Sequence, residues 1–251
     1  MIGLMTDFGS GGLYMGQMHV RLAVDAPGIP CVDLITDLPP FQPLLAAALI
    51  PAYAASLPPE SVVIAVVDPG VGGARDAIVL RAGGRWYVGP DNGIFALVLR
   101  RSTERAAWRL PVPETASPSF HGRDVFAPAA AALAQGSLPG GAIPVDPARL
   151  DRPDLPDDPP WVVYIDAYGN AITGVRADRL PAGATLHVRG QVVTRARTFG
   201  DVRRGEALFY RNANDMIEIA VNQGRADQTL SLEPGTVLQV ISSGDPLPSD
   251  G

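Results

Sequence analysis

The sequence predicts an α/β protein, with an N-terminal mostly parallel sheet flanked by helices and a smaller C-terminal antiparallel β-barrel domain. Three observations predict it. Apolar runs of strand length alternate with helical patterns over residues 1–135, the rhythm of a parallel sheet covered on both faces. From Trp161 onward the pattern changes to short strands separated by turn signals. Between them, residues 136–160 hold seven prolines from Pro139 to Pro160, several acids and little periodicity. The domains are therefore read as 1–138, a proline-rich linker at 139–160, and 161–251.

Each element follows in order. Residues 2–5 form a short buried strand ending in Thr6-Asp7-Phe8-Gly9, and Gly9, Gly11 and Gly12 precede a helix over 13–25 with Met15, Met18 and Leu22 near helical spacing. Residues 31–35 form a second strand. Pro39, Pro40 and Phe41 lead stiffly into a helix over 42–56, expected to kink or split at Pro51. Residues 62–67 read as a fully buried strand, followed at once by Asp68 and then Pro69-Gly70-Val71-Gly72-Gly73-Ala74-Arg75. Residues 77–81 and 86–88 make a hairpin around Gly83-Gly84. Pro90-Asp91-Asn92-Gly93 turns into a helix at 94–100, 106–110 is a strand, and Phe120-His121-Gly122-Arg123-Asp124 opens a helix at 125–135. In the second domain, strands are read at 161–166, 186–188, 191–193, 207–211, 216–221 and 237–241, with Arg189-Gly190 as a tight turn.

Composition narrows the function. An apolar fraction of 47% with moderate charge describes a globular protein. The net charge of −6 gives no basic stripe for phosphates, so no nucleic-acid partner is expected. All 20 basic residues are Arg, which rules out lysine Schiff-base chemistry and a Walker-type phosphate loop. The single cysteine, Cys31, permits no disulfide within the chain. No charged-then-apolar leader opens the sequence, and the longest apolar stretch, 44–57, is interrupted by Pro51 and short for a bilayer. A cytoplasmic location with no membrane partner is the expectation. No metal site is expected either, since H-x-x-x-H, H-E-x-x-H and cysteine pairs are absent.

Carboxylates that follow buried strands stand where open α/β sheets bind ligands. Asp7 and Asp68 both do, and Arg75 returns a fixed positive charge on the same glycine loop as Asp68. Read from spacing alone, that loop is either a site or an ordinary turn with a surface arginine. His19 and His187 fit structural or surface roles. His121 differs, because it lies at a loop-to-helix junction beside Arg123 and Asp124. Asp166-Ala167-Tyr168-Gly169-Asn170 offers an acid, an aromatic face and an amide, or simply a turn held by the Asp side chain. Ile217 to Gly224 carries the same ambiguity.

Taken together, T-D-F-G at 6–9, V-V-D-P-G-V-G at 66–72 with Arg75, P-D-N-G at 90–93, F-H-G-R-D-V-F-A-P at 120–128, I-D-A-Y-G-N-A-I-T at 165–173 and I-E-I-A-V-N-Q-G at 217–224 resemble the S-adenosyl-L-methionine (SAM) hydroxide adenosyltransferases, relatives of the SAM-dependent fluorinase and chlorinase. Six motifs in order span nearly the whole chain. The resemblance implies an α/β domain plus a β-barrel, and a homotrimer whose ligand sites lie between the N-domain of one subunit and the C-domain of the next. It implies attack of a water-derived hydroxide on the 5′ carbon of SAM, yielding adenosine and L-methionine, with SAM as substrate and no cofactor.

By the same resemblance, Asp68, Arg75 and His121 form the catalytic set, Asp7 holds the ribose diol, and Asp166 and Asn170 contact ligand from the second domain. Phe41 falls where the halogenases pack an aromatic on the ribose, and Tyr14, Asn214, Glu218 and Val221 align with the substrate pocket. Methionine leaves the sulfonium as a neutral thioether, so the demand falls on water. Arg75 is suited to stabilising a developing hydroxide, His121 to taking the proton directly or through a second water, and Asp68 to orienting arginine, water or ribose. Two departures stand out. Gly11-Gly12-Leu13 replaces an acid often found after T-D-F-G, and Gly174 replaces the last amide of N-A-I-T-N. The alternative readings are a chlorinase-like SAM halogenase and a non-catalytic adenosine or SAM binding protein. The Asp–Arg–His set and the short stretch between Trp86 and Pro90 favour water over halide.

Overall fold

The computed structural model describes residues 1–241 of the 251; positions 242–251 of the second predicted domain lie outside the described residues. The chain divides into two compact units, Met1–Leu155 and Pro156–Gly251.

The first unit is a seven-stranded sheet in the order β2-β1-β3-β5-β4-β6-β7. Strands β1 (Ile2–Thr6), β2 (Cys31–Ile35), β3 (Val62–Val66) and β5 (Arg85–Pro90) run parallel to one another. Strands β4 (Ala77–Ala82), β6 (Arg105–Leu110) and β7 (Ile143–Val145) complete the sheet antiparallel. The sheet is thus mixed. The Gly83-Gly84 turn folds β4 back beside β5, and β6 then pairs with β4 rather than crossing over. Within the proline-rich stretch, β7 joins β6 through Trp108↔Pro144 and a 3₁₀ turn follows at Pro147–Leu150.

β1 and β3 are buried on both faces, which is why they read as unbroken apolar runs. On one face Ile2, Leu4, Val62, Ile64 and Val66 pack with Met15, Met18 and Leu22 of α1 (Leu13–Asp25) and with Phe126, Ala130 and Leu133. The last two belong to α4 (Ala127–Ala134). Helices α2 (Pro43–Ala54) and α3 (Ala96–Arg100) pack together elsewhere in the unit. α2 runs through Pro51 as one helix, its Leu45 to Ile50 segment wholly buried. Burial of that segment opposes the backbone hydrogen bond that Pro51 forgoes.

The second unit is another seven-stranded sheet, β14-β10-β11-β12-β13-β9-β8. Its strands are β8 (Val162–Ile165), β9 (Ala171–Arg176), β10 (Thr185–Val188), β11 (Gln191–Arg195), β12 (Ala207–Arg211), β13 (Met216–Val221) and β14 (Gln239–Ile241), with a one-turn helix α5 at Ala226–Thr229. Among the described residues, all pairings of this unit are antiparallel except β11 with β12. The segments leading into the two edge strands meet. Trp161 bridges Val237, Val162 N–H donates to Thr236 O at 2.8 Å, and Leu238 N–H donates to Pro160 O at 2.7 Å. The sheet therefore curls into a partly closed barrel around Val162, Leu186, Val193, Phe209, Ile217 and Ile219. Gly174 explains one departure noted above. A Cβ there would stand 2.6 Å from Pro159 O and 2.8 Å from Pro159 Cβ, so this barrel has no room for an amide at that position.

Candidate active site

Adjacent parallel strands deliver the two acids. Asp7 follows β1 and Asp68 lies two residues beyond β3; Asp7 N–H donates to Val66 O at 3.2 Å, holding the strand ends side by side. The loop after Asp68 turns tightly, with Val71 N–H on Asp68 O at 3.3 Å and Gly73 N–H on Gly70 O at 3.0 Å. Gly72 adopts φ +74°, and a Cβ there would collide with the Pro118 carbonyl, so only glycine lets this loop lie against the 117–121 segment.

That loop brings Arg75 back onto Asp68. Arg75 Nε donates to Asp68 Oδ1 at 3.0 Å and Nη2 donates to Oδ2, while Nη2 also meets His121 Nδ1 at 3.0 Å. The side chains of Arg75 and Asp68 are 9% and 5% exposed, and His121 is 5% exposed. The Arg75 guanidinium lies 5.4 Å from the centroid of the Phe126 ring, and its Nη1 is buried with no hydrogen-bond partner among the described residues. A guanidinium only donates, so His121 Nδ1 accepts and the neutral ring carries its proton on Nε2. Burial foremost, and then the Arg75 charge, hold His121 below its ordinary value, which favours that neutral ring.

His121 caps a π-helical turn, Gly122–Phe126, that runs directly into α4. The segment before it is fixed by Asp124, which accepts from Ser117 N–H at 2.9 Å and takes a two-point grip from Arg123 at 2.7 and 2.9 Å.

Asp7, Tyr14, Phe41, Asp68 and His121 line one cavity of about 120 Å³, together with Phe8, Val66, Val71, Ser119, Phe120 and Gly122. Phe8, Tyr14 and Phe120 form an aromatic trio with centroids 5.1–5.8 Å apart. Burial raises the Asp7 carboxyl above its usual range, against a hydrogen bond from Phe41 N–H. Phe41 itself is strained, a non-glycine residue at φ +63° that is 75% exposed. Arg75 is not among the lining residues; it stands behind Asp68 and His121 and grips both. Phe8, Ser119 and Phe120 were not singled out from the sequence, although Phe8 and Phe120 sit inside the T-D-F-G and F-H-G-R-D motifs.

In the second unit, the Asp166 side chain holds its own turn. Oδ1 accepts from Tyr168 N–H at 2.9 Å and Asn170 N–H at 2.8 Å, and Oδ2 accepts from Asn170 Nδ2 at 3.0 Å. Gly169 at φ +83° completes the turn, because a Cβ would press on Asp227 and Arg225. Buried Glu218 on β13 accepts from Tyr210 O–H and from Asn212 Nδ2, the latter at 3.0 Å. Burial, followed by this Glu218 contact and the Asp166 charge, strongly raises the Tyr210 phenol. Asn214 is half-buried on the turn before β13, its N–H capped by Asn212 Oδ1 at 2.9 Å, and Val221 packs into the barrel core. These five residues therefore gather around β13 and the turn after β8.

Two acids at parallel strand ends, a buried Asp–Arg–His chain and an aromatic-walled cavity define a small-molecule site in an α/β unit, paired with a β-barrel unit. Comparison with known proteins makes this specific. Residues 2–141 match the SAM hydroxide adenosyltransferase N-terminal domain, and residues 161–239 match the C-terminal domain of the same family. An (R)-S-adenosyl-L-methionine hydrolase of Thermus thermophilus is 41% identical, covering 94% of this chain and 98% of its own length. One from Salinispora tropica is 37% identical, with 96% and 97% covered. Among solved structures, a conserved hypothetical protein, also from Thermus thermophilus, superposes with TM-score 0.78 at 38% identity, covering 96% of this chain and 99% of its own. An uncharacterized conserved protein from Thermotoga maritima gives TM-score 0.79 at 27% identity, with 96% and 100% covered. The chain belongs to the SAM hydroxide adenosyltransferase family.

Proposed function

We propose that this chain hydrolyses SAM to adenosine and L-methionine by attack of a water-derived hydroxide on the ribose 5′ carbon. The observation that carries the reading is the Asp68–Arg75–His121 chain, with Asp68 and His121 lining the same cavity as Asp7. The names of the relatives support the substrate, and point to its (R) form.

The reaction is a substitution. Water oxygen forms a bond to C5′, the C5′–S bond breaks with its electron pair going to sulfur, and the sulfonium becomes the neutral thioether of methionine. The leaving group needs no acid and no electrons are exchanged with a cofactor. Water must lose a proton, and the hydrogen bonds of the site support the following roles. His121 has no lone pair to offer while Nδ1 accepts from Arg75, so it serves as an Nε2–H donor to the nucleophilic oxygen. Asp68 is the acceptor facing the cavity and takes the proton. Arg75 acts through both, fixing the carboxylate and the tautomer together.

In this reading Asp7 binds the ribose diol and the aromatic side chains of Tyr14 and Phe41 flank the nucleoside. Asp166, Asn170, Asn214, Glu218 and Val221 make the remaining substrate contacts. A cytoplasmic homotrimer completes the proposal. The exposed apolar stripe Leu13, Val20 and Val24 on one face of α1 suits a protein partner such as another copy of the chain. Light scattering at about three chain masses is the expected result.

The deciding experiment is incubation with SAM in oxygen-18 water, with and without chloride, followed by mass analysis. Label in the adenosine 5′-hydroxyl, unaffected by chloride, is expected. A 5′-chloro nucleoside would replace the proposal with halogenation, and adenosine or SAM retained without product would leave a binding protein.

A further inference from the structure

The P-D-N-G turn plays no part in the chemistry above, yet it touches the catalytic loop at both ends. Where β3 finishes, its ladder is one-sided: pairing with β1 runs on to Thr6↔Val66, but pairing with β5 stops at Ile64↔Val88. The Val67 carbonyl belongs to a residue that is 0% exposed, so it needs a donor from elsewhere. Asn92 Nδ2 supplies it at 2.8 Å. Eight residues beyond Asp68, the Asp76 carbonyl accepts from Asp91 N–H at 2.9 Å. Two consecutive residues of one turn thus pin the start and the finish of the 68–76 loop that carries Asp68 and Arg75.

The turn is itself firmly held. Asn92 Oδ1 accepts from Ile94 N–H at 3.3 Å, and Ala96 N–H donates to Gly93 O at 3.0 Å. Gly93 sits at φ +94°, where a Cβ would stand 2.7 Å from Leu44 Cδ2 and 2.8 Å from Arg152 Cγ. Asp91 faces Arg152 and Arg149 at 3.7 and 3.8 Å.

We propose that Asn92 is a positioning residue for hydrolysis: its amide, bonded to the carbonyl one peptide before Asp68, sets where the Asp68–Arg75 pair stands in the cavity. It touches no substrate and acts through the backbone. The inference rests on the catalytic assignment of Asp68 and Arg75 given above.

The test compares Asn92→Asp, Asn92→Ala and Arg75→Ala. Asn92→Asp keeps the shape and the acceptor for Ile94 N–H but replaces the donor to Val67 O with an oxygen. Adenosine release gives kcat and KM for SAM, calorimetry gives adenosine Kd, and thermal unfolding gives Tm. For the Asn92 variants kcat is expected to fall roughly 10- to 100-fold, the scale of a small misplacement of reacting groups, with KM and adenosine Kd within about 3-fold of the parent. Should Asn92→Asp not fold, Asn92→Ala decides. An unchanged kcat in a folded Asn92 variant, with Arg75→Ala inactive, overturns the positioning role alone. So does a proportional change of kcat and KM that follows a lowered Tm. Full activity in Arg75→Ala overturns the catalytic reading itself.

Discussion

The polar groups of the two units are kept in different ways. In the first, Asp7, Asp68 and His121 line a cavity and are braced from behind, by a backbone N–H or by a buried guanidinium. In the second, Asp166 accepts three hydrogen bonds from its own turn, and both Glu218 oxygens are taken by Tyr210 and Asn212. The first set lines a cavity that a reactant can enter; the second is bonded into its own turn and strands. Substitutions in the first unit should therefore appear mainly in rate, and those in the second mainly in stability.

The sharpest test of that contrast is Arg75→Ala. Losing the group that holds both Asp68 and His121 should lower kcat by about 10²–10³-fold while adenosine still binds; a near-normal kcat would break the comparison. Gly72→Ala comes next. Its left-handed backbone and contact with Pro118 leave no space for a methyl, so a loss of about 1–3 kcal/mol in urea unfolding and a fall in kcat of roughly 10-fold are expected. Glu218→Ala should cost about 1–3 kcal/mol, because the Tyr210 hydroxyl and the Asn212 amide lose their acceptor. A raised KM fits its proposed substrate contact, but undiminished stability would break the contrast between the units.

The smallest effect is with pH. Burial and the Arg75 charge hold His121 below the ordinary imidazole value of about 6.5, so the acid limb of hydrolysis should have its midpoint below that value. The sign for stability follows. The unfolded chain binds the proton first as pH falls, so the stability that neutral His121 contributes is complete above 6.5. It declines through the interval down to the lower folded value. A limb centred above 6.5 would contradict the Nε2–H assignment.

Much of this was legible in the sequence because buried parallel strands announce themselves as apolar runs, and the acids Asp7 and Asp68 stand just past their ends. Helix α1 matched the spacing of Met15, Met18 and Leu22. Less legible were features set by distant partners. β7 hides among prolines because a short edge strand tolerates Pro144, and β9 carries Gly174 for a contact with Pro159 rather than for strand propensity. The antiparallel half of the first sheet depends on β6 choosing β4, which no local pattern encodes. At the site, the pairing of Asp68 with Arg75 was a visible juxtaposition. That Arg75 stands behind the cavity, and that Asn92 grips Val67, are matters of three-dimensional placement across 25 residues or more of chain.

The π-helical turn after His121 has a consequence for how this site can change over generations. Such a turn holds one residue more than an α-helix of the same rise, and here the surplus falls between the histidine and α4, whose alanines are packed in the core. Deleting any one residue of Gly122–Phe126 would restore ordinary helical winding while α4 stays seated. His121 would then keep nearly its angular place, because the surplus residue widens the turn without adding rotation; removing a second residue would swing it about 100° around the axis, away from Arg75. Point substitutions can drift through this segment, but its length has a tolerance of one residue, so an alignment of active relatives should hold at most a single-residue gap within it.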